Sequence, residues 1–402
     1  MISSLNAPRY LMIANALKSA LFAIPVLVLY YNQKGVSTGD FFLIQGISWL
    51  FVFVLELPSG YIGDVFSRKY TLISGFLFWI LGYFIWIFGV GFWCLLIGEL
   101  IFAVAISLVS GTVEAYLYDL LKRNKKEKTF HKKLSKMKTL EGCGLLFSTF
   151  TGAFVFQYLG PNAPIWLSII CVFTGIIILM NLPDVPESRR IVQKDKSKLQ
   201  DITDICKYAI KHPQIKWLIF FPAVYGTLTI ILMWGLQPVM ILHALPVFVF
   251  SIIVGINAFM RTFFAFISGK IVEKFTLNET IKILMFILTL ATFGACVSAY
   301  VPDIFVYVCL GLMIFGSGSI VLANVVTSTL INHQIQSHER STILSVKSMM
   351  GRALGGCVMI LLKPLFDTVG VGETFLISGL LLVPIIYFSF KLYKLRITLT
   401  TT

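Results

Sequence analysis

Twelve long apolar runs follow one another along the chain, near residues 9–31, 40–62, 70–90, 92–120, 136–159, 163–182, 214–236, 246–269, 281–300, 303–327, 343–364 and 371–392. Each has about the 20 residues that a helix needs to cross the hydrocarbon core of a bilayer. The chain is 57% hydrophobic and 13% charged, where a soluble domain carries about 25% charged residues. Lipid is therefore its main solvent. Backbone in hydrocarbon must close its own hydrogen bonds, so these runs are predicted to be helices rather than strands. The expected fold is an all-α integral membrane protein with 12 transmembrane helices. Residues 1–10 hold one cation and no small-residue cleavage site, so insertion is expected through the first run itself.

The net charge of +14 is placed unevenly. Alternate loops are rich in cations: Arg68 and Lys69; Lys122, Arg123, Lys125 and Lys126; Arg189 and Arg190; Lys270 and Lys274; and the tail from Lys391. The loops between them hold little beyond Lys34 and Lys363. The positive-inside rule puts the rich side, and with it both termini, in the cytoplasm. Basic runs without interleaved aromatics point to anionic lipid rather than nucleic acid as partner. The seven cysteines form no C-x-x-C pair, and the five histidines fall in or near loops, so neither a disulfide framework nor a metal site is expected. No G-x-x-x-x-G-K-[ST] motif is present, so the chain is not expected to hydrolyse ATP.

The longest polar stretch divides the runs six and six. The predicted organisation is an N-terminal half at 1–182, a linker at 183–213 with an amphipathic helix near 199–211, and a C-terminal half at 214–402. A trace of duplication supports it. Gly60-Tyr-Ile-Gly-Asp64-Val-Phe66 closes the second run, and Gly269-Lys-Ile-Val-Glu273-Lys-Phe275 closes the eighth. Leu134-Ser135 and Leu344-Ser345 open the fifth and eleventh. Such parallel halves are a feature of transporters.

The stretch Glu56-Leu-Pro-Ser-Gly60-Tyr-Ile-Gly63-Asp64-Val-Phe-Ser-Arg68-Lys69 resembles the signature loop between helices two and three of the major facilitator superfamily, G-x-x-x-D-x-x-G-R-K. Ser110-Gly-Thr-Val-Glu114-Ala-Tyr-Leu-Tyr118-Asp119 and Arg340-Ser-Thr-Ile-Leu-Ser345 resemble parts of helices four and eleven in its bacterial drug-efflux-like members. The resemblance implies alternating access, often driven by protons, in a bacterial inner membrane. It implies a central cavity lined by helices one, two, four and five and their counterparts. It also gives Asp64 and Arg68 a role in steadying the outward-open state. Ser67 stands where the family has glycine, Val65 where a cation is common, and the helix-four arginine of many drug antiporters is absent.

An ionisable group at mid-membrane costs about 2.5–3.5 kcal/mol and is a functional candidate by default. Lys18, after Asn15, lies halfway along the first run. Glu99 and Glu114 share one face of the fourth, about 22 Å apart along the axis. These four residues are the expected substrate or proton site, with Glu114 the first expected partner of Lys18 and Glu99 the second. Lys347, Lys363 and Asp119 lie near helix ends, where a structural role is expected. Glu56 with Arg352, and Glu141 with Arg261, are depth-compatible between the halves. Together with Gly60, Asp64, Arg68 and Glu273 they form the expected gate. The function predicted is monomeric, proton-coupled export of a small amphipathic compound, with no cofactor beyond the proton gradient. The alternatives are uptake or exchange of an anionic metabolite through Arg261 and Arg352, and a transporter-like sensor.

Overall fold

Segments that close their backbone hydrogen bonds internally should leave only helices and the turns between them. In the computed structural model, which describes residues 3–65, 67–185, 213–334 and 337–400, no strand occurs among the described residues. The first part of the chain forms α1 (Ala7–Lys18), α2 (Leu27–Gln33), α3 (Thr38–Val65), α4 (Arg68–Phe88), α5 (Gly91–Val109), α6 (Thr112–Arg123), α7 (Phe130–Leu159) and α8 (Ala163–Met180). The second forms α9 (Pro213–Leu242), α10 (Val247–Lys274), α11 (Leu277–Val297), α12 (Asp303–Gly318), α13 (Ile320–Gln334), α14 (Ser337–Thr368) and α15 (Val371–Thr400). Ten described segments are long and apolar enough to cross a membrane, and Val371–Tyr387 is a shorter apolar helix.

Three expected runs are broken. The first, expected as one helix over 9–31, is α1, a 3-10 turn at Ile24–Val26, and α2. The cause is local. The Ser19 hydroxyl donates back to the Asn15 carbonyl at 3.0 Å, and Pro25 has no N–H to continue a helix. The fourth run breaks between α5 and α6, where Ser110 turns out of the helix and Gly111 takes φ +76°. That left-handed value suits glycine. The tenth breaks at Ser319 between α12 and α13, where the Ser319 hydroxyl is hydrogen-bonded to the Tyr225 hydroxyl at 2.6 Å. Broken helices at membrane depth are tolerated where they are buried in protein or line a cavity.

The chain separates into two compact units. One is Met1–Gln193 with Pro246–Gly255; the other is Lys194–Leu245 with Ile256–Thr402. Of the expected linker, 186–212, including Cys206 and the amphipathic helix, lies outside the described residues. Each unit repeats one packing order. In the first, α1 packs on α7 and α8, and α4 on α5 and α8. In the second, α9 packs on α14 and α15, and α11 on α12 and α15. Lipid gives no hydrophobic reason for helices to associate, so close van der Waals approach carries the packing. The tightest case is Gly152 on α7, where a Cβ would collide with the Phe22 carbonyl oxygen at the break in the first run.

Candidate functional site

Four charges alternate in sign across one cavity of the first unit. Lys18 ends α1, where the partial negative charge of a helix C-terminus favours a cation. Glu114 stands in the first turn of α6, where the opposite end favours an anion. Lys138 and Glu141 lie three residues apart on α7 and so share a face. Lys18 Nζ is 3.9 Å from Glu141 Oε1. Lys138 Nζ is 3.5 Å from Glu141 Oε2 and 3.1 Å from Glu114 Oε1. The order Lys18, Glu141, Lys138, Glu114 is thus a ladder with no net charge.

The ladder is held unevenly. Asn15 Nδ2 and the Ser19 hydroxyl both donate to Glu141 at 3.3 Å. Lys18 stands over the Trp79 ring, its Nζ 5.1 Å from the centroid. Its side chain is 12% exposed, against 53% for Lys138 and 40% for Glu114. The inner pair is therefore fixed by several partners. The outer pair is a half-exposed ion pair, worth about 1 kcal/mol or less. The cavity between them has a volume of about 180 Å³. Its wall also carries Ile106, Val109 and Val113, and it reaches Ser110 and Gly111 at the start of α6.

Glu99 lies elsewhere in the same unit. It is buried on α5 and accepts from the Tyr31 hydroxyl at 2.8 Å and from Gln45 Nε2 at 2.6 Å, both on Oε1. No ion pair reaches it among the described residues. Tyr31 is itself held edge-on between Phe41 and Trp86, with centroids at 5.2 and 5.6 Å. The arrangement joins α2, α3 and α5 through one carboxylate.

The signature cations work at a third place. Arg68 pairs with Asp119 and donates to the Ala115 carbonyl at 3.1 Å, both on α6. Lys69 Nζ donates to the Met180 and Leu182 carbonyls at 2.8 and 2.6 Å. It thereby satisfies carbonyls at the end of α8 that have no helical partner. Ser67 donates to Asp184 Oδ1 at 2.7 Å, so the residue in the glycine's place makes a contact of its own.

The structure brings Asn15, Lys18 and Glu114 of the expected site into one cavity and sets Glu99 apart. The partner of Lys18 is Glu141, not Glu114 or Glu99, because the end of α1 packs against α7 and Glu114 is taken by Lys138. Glu141, expected at a gate, stands on the cavity wall. Asp119, for which a structural role near its helix end was expected, is a buried partner of Arg68. Glu56 and Arg352 are half-buried, in different units. Glu273 is exposed near the end of α10. Gly60 and Asp64 are placed as backbone of α3, and their side chains lie outside the described residues. Arg261 is exposed on α10, with its Nη1 3.5 Å from Met233 Sδ. In the second unit, Lys347 is buried and spends its N–H groups on the Asn324 carbonyl and the Thr327 and Ser328 hydroxyls, at 3.2, 2.8 and 2.9 Å. Lys138 and Trp79 were not expected at the site. The three-residue spacing of Lys138 and Glu141 was the available signal for the lysine; Trp79 had none beyond an aromatic in an apolar run.

A sequence model of the Major Facilitator Superfamily matches residues 10–360. No curated protein matches the sequence. Among solved structures, the nucleoside transporter NupG is similar at a TM-score of 0.78 and 14% identity, over 97% of this chain and 99% of that one. The D-xylose-proton symporter is similar at 0.72 and 13%, over 97% of each chain. A bacterial homolog of the human lysosomal transporter Spinster, inward-facing and unoccupied, is similar at 0.70 and 13%, over 98% of this chain and 96% of that one. At these identities the likeness is one of fold.

Proposed function

The chain belongs to the major facilitator superfamily, which makes it a membrane transporter rather than an enzyme, and on that premise we propose that it exports a small amphipathic compound in exchange for protons. It would work as a monomer of 12 spans with both termini in the cytoplasm of a bacterial cell. The observation that carries the reading is the neutral charge ladder on the wall of a cavity of about 180 Å³. A substrate group that enters the outer pair competes with Lys138 for Glu114, or with Glu114 for Lys138. A proton on Glu114 releases Lys138 in the same way. Substrate and proton thus act on one weak contact, which is the minimum that coupling requires. The outward direction rests on the drug-efflux-like Glu56-Leu-Pro-Ser-Gly60 stretch.

The test is uptake and efflux of a compound panel in everted vesicles, with and without an imposed pH gradient. A substrate whose movement ignores the gradient would exclude proton coupling. Glu114→Gln should transport that substrate with a flattened pH dependence; wild-type rates at every pH would remove Glu114 as carrier. A second reading is uptake of an anionic metabolite. It is favoured by Arg261, which has no carboxylate within ion-pair distance among the described residues. A proton symporter stands among the similar folds. Accumulation driven inward by protons would favour this reading over export.

A further inference from the structure

The charge ladder constrains what the cavity can accept. Two ammonium groups and two carboxylates alternate, and their sum is zero. A lone anion entering between them would gain Lys138 but face Glu114 and Glu141. A lone cation would gain the carboxylates but face Lys138. Like-charge approach in a partly desolvated site costs affinity. A ligand that carries both signs avoids either cost, because it can enter the outer pair and leave each protein charge with an opposite partner.

The geometry supports this in four ways. The outer pair, Lys138 with Glu114, is half exposed and cheap to open. The inner pair stays closed, since Lys18 also rests on Trp79 and Glu141 also accepts from Asn15 and Ser19. The N-terminus of α6 opens on the cavity at Ser110 and Gly111, and Gly111 has no side chain to cap it. Its first N–H groups thus add to the anionic half of the site. Trp79 and the wall of Ile106, Val109 and Val113 offer an apolar face beside the charges. The volume of about 180 Å³ exceeds the roughly 150 Å³ that holds a benzene molecule.

We propose that this cavity binds a small zwitterion, whose acidic group meets Lys138 and the start of α6, whose ammonium meets Glu114, and whose apolar body of about one ring lies toward Trp79. The proposal rests on the reading of the cavity as the substrate site. It narrows "amphipathic" to a molecule with one positive and one negative group.

Four probes that differ in charge and share one ring test it on the purified full chain: phenylalanine, its methyl ester, N-acetylphenylalanine, and the N-acetyl methyl ester. Affinity is read by equilibrium dialysis and by thermal shift. Phenylalanine should bind about tenfold more tightly than the cationic ester or the N-acetyl anion. Lys138→Gln leaves the cavity acidic and should turn the preference toward the ester. Glu114→Gln leaves it basic and should turn it toward the N-acetyl anion. Both residues are half exposed, so neither change should prevent folding, and an unshifted melt of the unliganded protein checks that. Equal affinity for all four probes, a preference for a singly charged one in the unsubstituted protein, or no binding of any would overturn the zwitterion. The cavity reading fails separately, if Lys138→Gln and Glu114→Gln leave unchanged the transport of a substrate identified by the vesicle panel.

Discussion

Glu141→Gln should destabilise the protein more than Lys18→Met, although each removes the same ion pair. After Glu141→Gln, Lys18 has lost its carboxylate and keeps the Trp79 ring at 5.1 Å. A mid-membrane ammonium costs about 2.5–3.5 kcal/mol and a cation–π contact returns about 0.5–2, so the net loss is roughly 0.5–3 kcal/mol. After Lys18→Met, Glu141 still has Lys138 at 3.5 Å and Asn15 and Ser19 at 3.3 Å. That loss should stay below about 1 kcal/mol. The double variant removes both charges and should recover most of the deficit, a coupling of about 1–2 kcal/mol, as contacting residues show. The assay heats aliquots of detergent-purified protein and measures the monodisperse fraction left by size exclusion. For folding units of this size about 2–4 °C is expected per kcal/mol. The reasoning is refuted if Glu141→Gln melts like the unsubstituted protein, or if the double variant is as unstable as the two losses added.

Arg68→Ala should leave Asp119 buried without its cation and lower stability by about 3–5 kcal/mol, and adding Asp119→Ala should restore part of it; additive losses, measured by the same melt, would show that the pair is not the coupled unit. Gly111→Ala forces a Cβ into a φ of +76° where no neighbouring atom stands within 4 Å. It should therefore cost about 1–2 kcal/mol from backbone strain alone. A melt unchanged by Gly111→Ala would mean that the break between α5 and α6 does not need glycine.

The apolar helices were legible because length and hydropathy decide them, and ten described segments are long and apolar enough to cross a membrane. The breaks were less so. Ser19 and Pro25 interrupt the first run without changing its apolar average, which is why 9–31 read as a single helix. Partner choice was the hardest to read. Lys18 was expected to meet Glu114 because the resemblance implies that helices one and four face a common cavity, but which faces touch is set by how α1 packs on α7, more than 100 residues away in the chain. Arg68 and Lys69 stood out in the sequence as cations of the signature stretch. Their long side chains reach Asp119 on α6 and the Met180 and Leu182 carbonyls at the end of α8, distances that sequence spacing does not encode. Lys138 was not singled out, although its three-residue step to Glu141 was the sign of a shared face.

Helix α6 has a consequence for how force passes through the first unit. Its first turn holds Glu114 on the cavity. Further along, the Tyr116 hydroxyl donates to the Pro183 carbonyl at 2.6 Å, and Arg123 Nη1 donates to the Asp184 carbonyl at 3.0 Å. One short rod, joined to α5 by a glycine pivot, is therefore fastened at its far end to the strand of chain that leaves α8. Arg68 on α4 grips the same rod midway, through Asp119 and the Ala115 carbonyl, so the carboxylate that faces the cavity is carried by an element moored both to α4 and to residues 183–184.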